Sequence, residues 1–205
     1  MTREGIAAAL STRTPRRRPR SDAETSHRLA EQPGSTPLPA APVPAAVLVP
    51  LVERDDGWTV LLTQRTAHLA HHPGQISFPG GRQEEADTDP TAAALRETEE
   101  EIGLGADAIH IVGTLDDYVT ITGFQIVPVV GLVTPPFTLS PDSFEVKEVF
   151  EVPLAFFLDP SNHQRHSRTM PNGDTRYFYA MPYRDYYIWG ATAAILVNLY
   201  EALRP

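Results

Sequence analysis

An α/β domain, with a mixed sheet packed between helices, is the fold class this sequence predicts, and three observations predict it. Apolar, β-branched runs of strand length recur at Ala45–Val52, Trp58–Gln64, Ile109–Leu115 and Phe124–Val133. A delimited helical segment, Pro90 to Ile102, stands between the second and third runs. A second helical segment, about Trp189–Leu203, places Ile195, Leu196, Leu199 and Leu203 at helical spacing. A helix embedded among strands points to a layered α/β sheet.

The chain has 205 residues, which suits one domain with an appendage and allows a substantial core without staples. Its net charge of −9 is unevenly spread. Residues 1–40 hold seven Arg against four acids, a net of +3, and the remainder holds ten basic against twenty-two acidic residues, a net of −12. Pro33, Pro37, Pro39, Pro42 and Pro44 fall in a stretch with little to bury. Residues 1–44 therefore read as a flexible, disordered Arg- and Pro-rich tail, with the Arg13–Arg20 cluster solvated, and the domain as 45–205. Truncation before Pro39 is expected to leave stability and turnover nearly unchanged.

The acidic body argues against nucleic acid as a partner, since phosphate binding draws chiefly on Lys and Arg. Cysteine is absent, which excludes disulfides and thiolate metal sites and suits a reducing compartment. No apolar run is long enough to span a bilayer, and no secretory leader pattern is visible. A cytoplasmic protein without a membrane partner is the expectation. Oligomeric state is left open, a homodimer included.

Taken in order, the first two strands join through Arg54-Asp55-Asp56-Gly57, which has hairpin chemistry. A loop rich in His, Pro and Gly follows. Asp89 is placed to cap the central helix, Pro90 suits its first position, and Gly103 suits its stop. Pro171-Asn172-Gly173-Asp174 reads as a second hairpin turn leading to Thr175–Tyr179. No internal repeat is present.

The central helix carries the chemistry. Ala94–Leu104 reads ALRETEEEIGL. At about 100° per residue, Glu100 and Glu101 fall roughly 60° and 40° to either side of Glu97, so the three share one face. Ala93 lies on that face and would leave room for a ligand, while Leu95, Thr98 and Ile102 point to the sheet. A Glu run is ordinarily a solvated helix face. Here, like charges three and four apart cost about 0.2–0.5 kcal/mol per pair. The helix C-terminus also disfavours anions. A hard divalent cation, Mg²⁺ or Mn²⁺, would neutralise the cluster. Bound there, it suits hydrolysis of a polyanion. Phe78-Pro79-Gly80-Gly81 precedes the helix, and glycine permits close backbone approach to a ligand.

Gly81, then Arg96-Glu97 fifteen residues on, then Glu100-Glu101-Ile102-Gly103-Leu104 resembles the signature of the Nudix hydrolases. The resemblance implies a mixed β-sheet between α-helices (α/β/α). It implies that Glu97, Glu100 and Glu101, with the Gly81 carbonyl, bind Mg²⁺ or Mn²⁺, and that Arg96 orients a neighbouring glutamate. The acid after Gly81 is Asp87 rather than Glu, and eight residues instead of seven separate it from Arg96.

Leu61-Leu62-Thr63-Gln64-Arg65-Thr66 and Gly74-Gln75-Ile76-Ser77-Phe78-Pro79-Gly80-Gly81 resemble the elements ahead of the signature in the coenzyme A pyrophosphatase branch. That branch shows the same Asp and the same longer box. The resemblance covers about residues 45–205 and implies coenzyme A or acyl-coenzyme A as substrate. Gln75, Phe78 and Gly80 are expected substrate contacts. Arg65, at a strand end, and Arg82, after the glycines, read either as substrate phosphate clamps or as surface salt bridges, the motif favouring the clamp for Arg65. The branch usually has Arg where this chain has Ala70. Other nucleoside diphosphate derivatives (ADP-ribose, a dinucleotide, a nucleoside triphosphate) remain alternatives, as does a non-catalytic Nudix-fold binding module, although all three glutamates are kept. Nothing resembles a helix-turn-helix.

Glu145 is the first choice as general base, with Glu148, Asp116 and Asp117 as alternatives. His68, His71 and His72 have a spacing that invites a zinc reading, which Pro73-Gly74 disfavours; a solvated loop is the simpler reading. Tyr177, Tyr179 and Tyr183 either line a base or pantetheine pocket or pack a hairpin, the latter being favoured.

Overall fold

A computed structural model describes residues 1–14, 16–30, 40–68, 74–171 and 173–204. In chain order the first half forms α1 (Arg3–Ser11), β1 (Arg20–Ser21), α2 (Asp22–Leu29), β2 (Val43–Arg54), β3 (Gly57–Arg65), β4 (Ile76–Ser77), β5 (Gly80–Arg82) and α3 (Pro90–Ile102). The second half forms β6 (Ile109–Thr114), β7 (Tyr118–Val119), β8 (Phe124–Val133), β9 (Val146–Pro153) and α4 (Leu154–Leu158). It ends with β10 (Gln164–Thr169), β11 (Thr175–Tyr183), β12 (Tyr186–Trp189) and α5 (Gly190–Leu203).

Among the described residues nine strands share one mixed sheet, whose main path runs β1-β7-β8-β2-β3-β4, with β5 on β2, β6 on β8 and β9 on β3. Its centre is the parallel pair β2 and β8, in register from Val43 opposite Phe124 to Val52 opposite Val133. The expected hairpin closes with Arg54 opposite Gly57, whose φ of 119° suits a residue without a side chain.

The apolar runs are nearly continuous because the sheet is covered on both faces. Along β2, Ala46 and Leu48 meet Ala93 and Ala94 of α3, whereas Val49 and Leu51 join a core formed with α1, α4 and α5. The period of two carries through β3, where Leu61 packs with Ile102 of α3, and Val60 and Leu62 with the opposite core. The α/β/α layering is the fold class expected. A separate three-stranded sheet, β10-β11-β12, lies before α5.

The reading of residues 1–44 as a free tail does not describe residues 2–30. Thr2 caps α1 by accepting the Gly5 N–H, and Ile6 and Leu10 are buried in the main core. Ser21 caps α2 through the Glu24 N–H at 3.0 Å. Arg13 and Arg20 both pair with Asp116, whose side chain is 1% exposed, and Arg20 and Arg28 pair with Glu201 of α5. Arg13 and Arg20 of the cluster thus find carboxylates from distant parts of the chain, Asp116 among them buried, which composition cannot reveal. Residues 31–39, where several of the prolines lie, are outside the described residues. Among the described residues no helix is long and apolar enough to cross a membrane.

Candidate active site

α3 is held at both ends by the residues the sequence nominated. Asp89 accepts the Ala92 N–H at 2.9 Å. Gly103 stops the helix at φ 68°, with its N–H on the Glu99 carbonyl at 2.9 Å. Thr98 and Ile102 are buried on the inner side. Ala93 is buried with them against Ala46 and Leu48, so it does not leave room for a ligand as expected: the helix sits too close to β2.

The outer side carries Glu97, Glu100 and Glu101, and their surroundings are graded. Glu101 is buried, Glu97 half-buried, and the Glu100 side chain 63% exposed. β5 runs beneath them. Gly80 donates its N–H to Glu101 Oε2 at 3.1 Å. A Cβ on Gly80 would stand 2.4 Å from the Ala46 carbonyl oxygen, so its primary constraint is the approach to β2. A Cβ on Gly81 would stand 2.4 Å from the Glu97 carboxyl group, so a larger residue there would push that carboxylate off the backbone beneath it.

Two arginines organise the cluster. Arg96 places Nε and Nη2 on Asp87 at 3.0 and 2.9 Å. Its Nη1 donates to Glu97 at 2.9 Å and to Glu100 at 3.3 Å, and Nη2 also reaches the Arg82 carbonyl at 3.1 Å. Asp87, held below its ordinary pKa by Arg96, is therefore the anchor of Arg96; sequence reasoning noted its place in the signature but not this role. Arg65, at the end of β3, lies 3.5 Å from Glu101 and 3.7 Å from Glu145. Thr66 fixes the neighbouring turn by donating its N–H to the Glu145 carbonyl at 2.9 Å.

Burial pushes the Glu101 carboxyl up to about 7, with Glu145 and Glu97 adding to the rise and the Gly80 N–H and Arg65 opposing it. Burial likewise raises Glu97, against the pull of Arg96. Among the described residues no three acidic or His side chains stand together as a ready cage. Arg96 instead engages Glu97 and Glu100. The donor set nevertheless fits a divalent cation: three carboxylates short of compensating charge, beside a backbone segment that no side chain separates from Glu97.

Other nominated residues go elsewhere. Phe78 is 3% exposed in the main core, which corrects its expected substrate contact: it lies in line with Ile76 on the core face of the sheet. The Arg82 guanidinium lies over the Phe124 ring at 5.5 Å. Glu148 interacts with Tyr186, Asp117 accepts from Gln125 at 2.8 Å, and Asp116 belongs to the N-terminal ion pairs. The His68 ring rests on Phe144 at 4.8 Å, while Ala70, His71 and His72 lie outside the described residues. Tyr179 and Tyr183 pack on the core, as the plain hairpin reading expected.

The NUDIX domain family model matches residues 42–172. This chain belongs to the Nudix family. It is a pyrophosphohydrolase, in a family that generally uses divalent metal ions. The "uncharacterized Nudix hydrolase NudL" of Escherichia coli O7:K1 is 41% identical over 155 residues, 76% of this chain and 80% of the relative. Its namesake in Escherichia fergusonii is 39% identical over the same coverage. Among solved structures, the Nudix hydrolase RenU of M. smegmatis aligns with 26% identity and a TM-score of 0.48, covering 56% of this Nudix hydrolase and 73% of RenU. A C. elegans Ap4A hydrolase binary complex aligns with 20% identity and a TM-score of 0.48, covering 54% and 80% respectively.

Proposed function

We propose that this Nudix hydrolase cleaves the diphosphate of coenzyme A or acyl-coenzyme A, giving 3′,5′-ADP and (acyl-)4′-phosphopantetheine. The observation that carries the chemistry is the Glu97 carboxylate lying directly over Gly81, beside the buried Glu101. Glu97, Glu100, Glu101 and the Gly81 carbonyl would hold Mg²⁺ or Mn²⁺. When bound, such an ion shields the diphosphate charge, polarises a phosphoryl oxygen and makes water more acidic.

The chain's own residues have distinct tasks in this reading. Asp87 fixes Arg96, and Arg96 orients Glu97 at 2.9 Å. Arg65, held between Glu101 and Glu145, is placed to neutralise a substrate phosphate. Glu145, 43% exposed and free of the helix cluster's hydrogen bonds to Arg96, accepts the proton of the attacking water. The water oxygen bonds to one phosphorus, and the bridging P–O bond breaks. The leaving phosphate takes the electron pair.

Coenzyme A rather than another diphosphate is supported by the LLTQRT and GQISFPGG elements that lead into the site through Arg65 and Gly80-Gly81. The substitution of Ala70 for the usual Arg favours a second reading, ADP-ribose or a dinucleotide. A comparison of kcat/KM for coenzyme A, acetyl-coenzyme A, ADP-ribose and NADH with Mg²⁺ decides between them. Coenzyme A or its thioester should lead by at least about tenfold; a lead for ADP-ribose would replace the first reading with the second.

A further inference from the structure

A cavity of about 270 Å³ opens between the N-terminal segment, the three-stranded sheet and the start of α5. That volume is near the lower end of small-molecule sites, roughly 300 Å³. Much of its wall lies outside the family match at 42–172: Asp22 and Ser26 come from α2, Arg176 and Phe178 from β11, and Trp189 from β12. The family signature thus supplies the proposed hydrolytic cluster, and segments on both sides of the family match join residues within it, Arg168 among them, to wall this cavity.

The strand register puts charge and aromatic surface on one side. Arg168 of β10 stands directly opposite Arg176 of β11. Phe178 follows two residues on, and Trp189 lies opposite Ala180, two residues further. In a pleated sheet these four side chains share one face. Phe178 and Trp189 meet edge to face at 5.2 Å. Two arginines directly opposite each other destabilise a sheet unless an anion lies between them. Asp22, whose oxygens accept from the Tyr118 hydroxyl at 2.8 Å and the Ile121 N–H at 2.7 Å, also attracts Arg176, but one carboxylate offsets only one of the two guanidinium charges.

The cavity is tied to the carboxylate cluster. Gln75 lines it, and the Gln75 carbonyl accepts the Arg65 N–H at 2.9 Å. Arg65 then reaches Glu101. Thr192 of α5 fixes the same segment by donating to the Ile76 carbonyl at 2.9 Å. A ligand seated in the cavity therefore lies next to the chain segment that leads into the cluster.

We propose that this cavity binds a nucleoside carrying a phosphomonoester, with Arg168 and Arg176 forking the phosphate and Phe178 and Trp189 flanking the base. Resting on the coenzyme A reading, it assigns the two arginines to the 3′-phosphate, the group that ADP-ribose and NADH lack. Guanidinium pairs suit this task because each presents a planar fork of donors. The acidic body carries few such cations, and placing two in register is a specific device.

The test is calorimetric titration of the whole chain with 3′,5′-ADP and with 5′-AMP in EDTA, so that binding is read without turnover. The expected result is an advantage of at least about tenfold for 3′,5′-ADP. Arg168→Gln and Arg176→Gln should each remove most of that advantage while 5′-AMP affinity stays within about twofold. Equal binding of the two nucleotides by the unaltered chain overturns the assignment, as does an equal loss for both in the variants. Preferential 3′,5′-ADP binding in a chain that does not hydrolyse coenzyme A keeps the cavity and removes the coenzyme A reading. Coenzyme A hydrolysis without the preference does the reverse.

Discussion

Two clusters of opposite charge hold this molecule together in opposite ways. Around α3, five acids (Asp87, Glu97, Glu100, Glu101 and Glu145) share two arginines, Arg65 and Arg96. Around Asp116, two acids (Asp116 and Glu201) face three arginines, Arg13, Arg20 and Arg28. The first cluster is short of positive charge, which suits the cation site proposed for it. The second is closed by the chain's own cations, and it works as a clasp. Burial acts on both, yet it leaves Glu101 raised and Asp116 lowered, because only Asp116 has enough donors around it.

The strongest way to break the contrast is at α3. Glu97→Gln keeps the shape and the half-buried setting but removes the charge. Turnover with Mg²⁺ is expected to fall by roughly 10³-fold or more, with the urea midpoint almost unchanged, since substitutions outside the core cost little. Steady-state kinetics beside an unfolding curve checks both halves.

Removing residues 1–30 attacks the clasp and inverts the pattern. Ile6 and Leu10 are buried, and each such side chain contributes about 1.5–3 kcal/mol. Stability should fall by at least about 3 kcal/mol, measured by urea denaturation. A midpoint that stays put would restore the solvated-tail reading.

A finer cut is Asp116→Asn. It leaves the partly buried Arg13 and Arg20 without their shared partner, at a cost of about 3 kcal/mol, the low end for a broken buried pair. Asp116 also gives the clasp a pH signature. Burial raises its pKa, but Arg20, the Arg16 N–H and Arg13 outweigh burial and hold the folded value below 3.8. Its contribution is therefore present above that value and lost as pH falls through the lower folded one. The stability gap between the unaltered chain and Asp116→Asn should be constant above about pH 5 and shrink below pH 4.

The same contrast explains what could be read from the sequence. α3 was legible to its caps because Asp89, Pro90 and Gly103 act within a few residues of where they stand. Phe124–Val133 was legible because a strand covered on both faces announces itself as an unbroken apolar run. The N-terminal helices were not, because their partners are distant: Arg20 meets Asp116 and Glu201 across 96 and 181 residues. Two local signals were nonetheless present. Ser21-Asp22-Ala23-Glu24 has the form of a capping box, and Ile6 and Leu10 stand four apart. In the site, the Arg96 partnership with Asp87 depends on how the intervening loop folds back, which spacing alone does not specify. Phe78 misled because a motif marks a segment as important without telling which face each side chain takes.

The clasp also sets an order of events. Arg13 and Arg20 leave the ribosome before their partners, Asp116 and Glu201, have been made. From Arg20 the loops that must close span 96 residues to Asp116 and 181 to Glu201, and such closures come late. Arg13 and Arg20, made before either partner, are thus among the last of these residues to settle. Until α5 is released, the arginines have only part of their partnership, and the cavity wall that Asp22 and Ser26 provide stays open. A nascent chain can assemble α3 well before it can assemble the wall of the proposed nucleotide cavity.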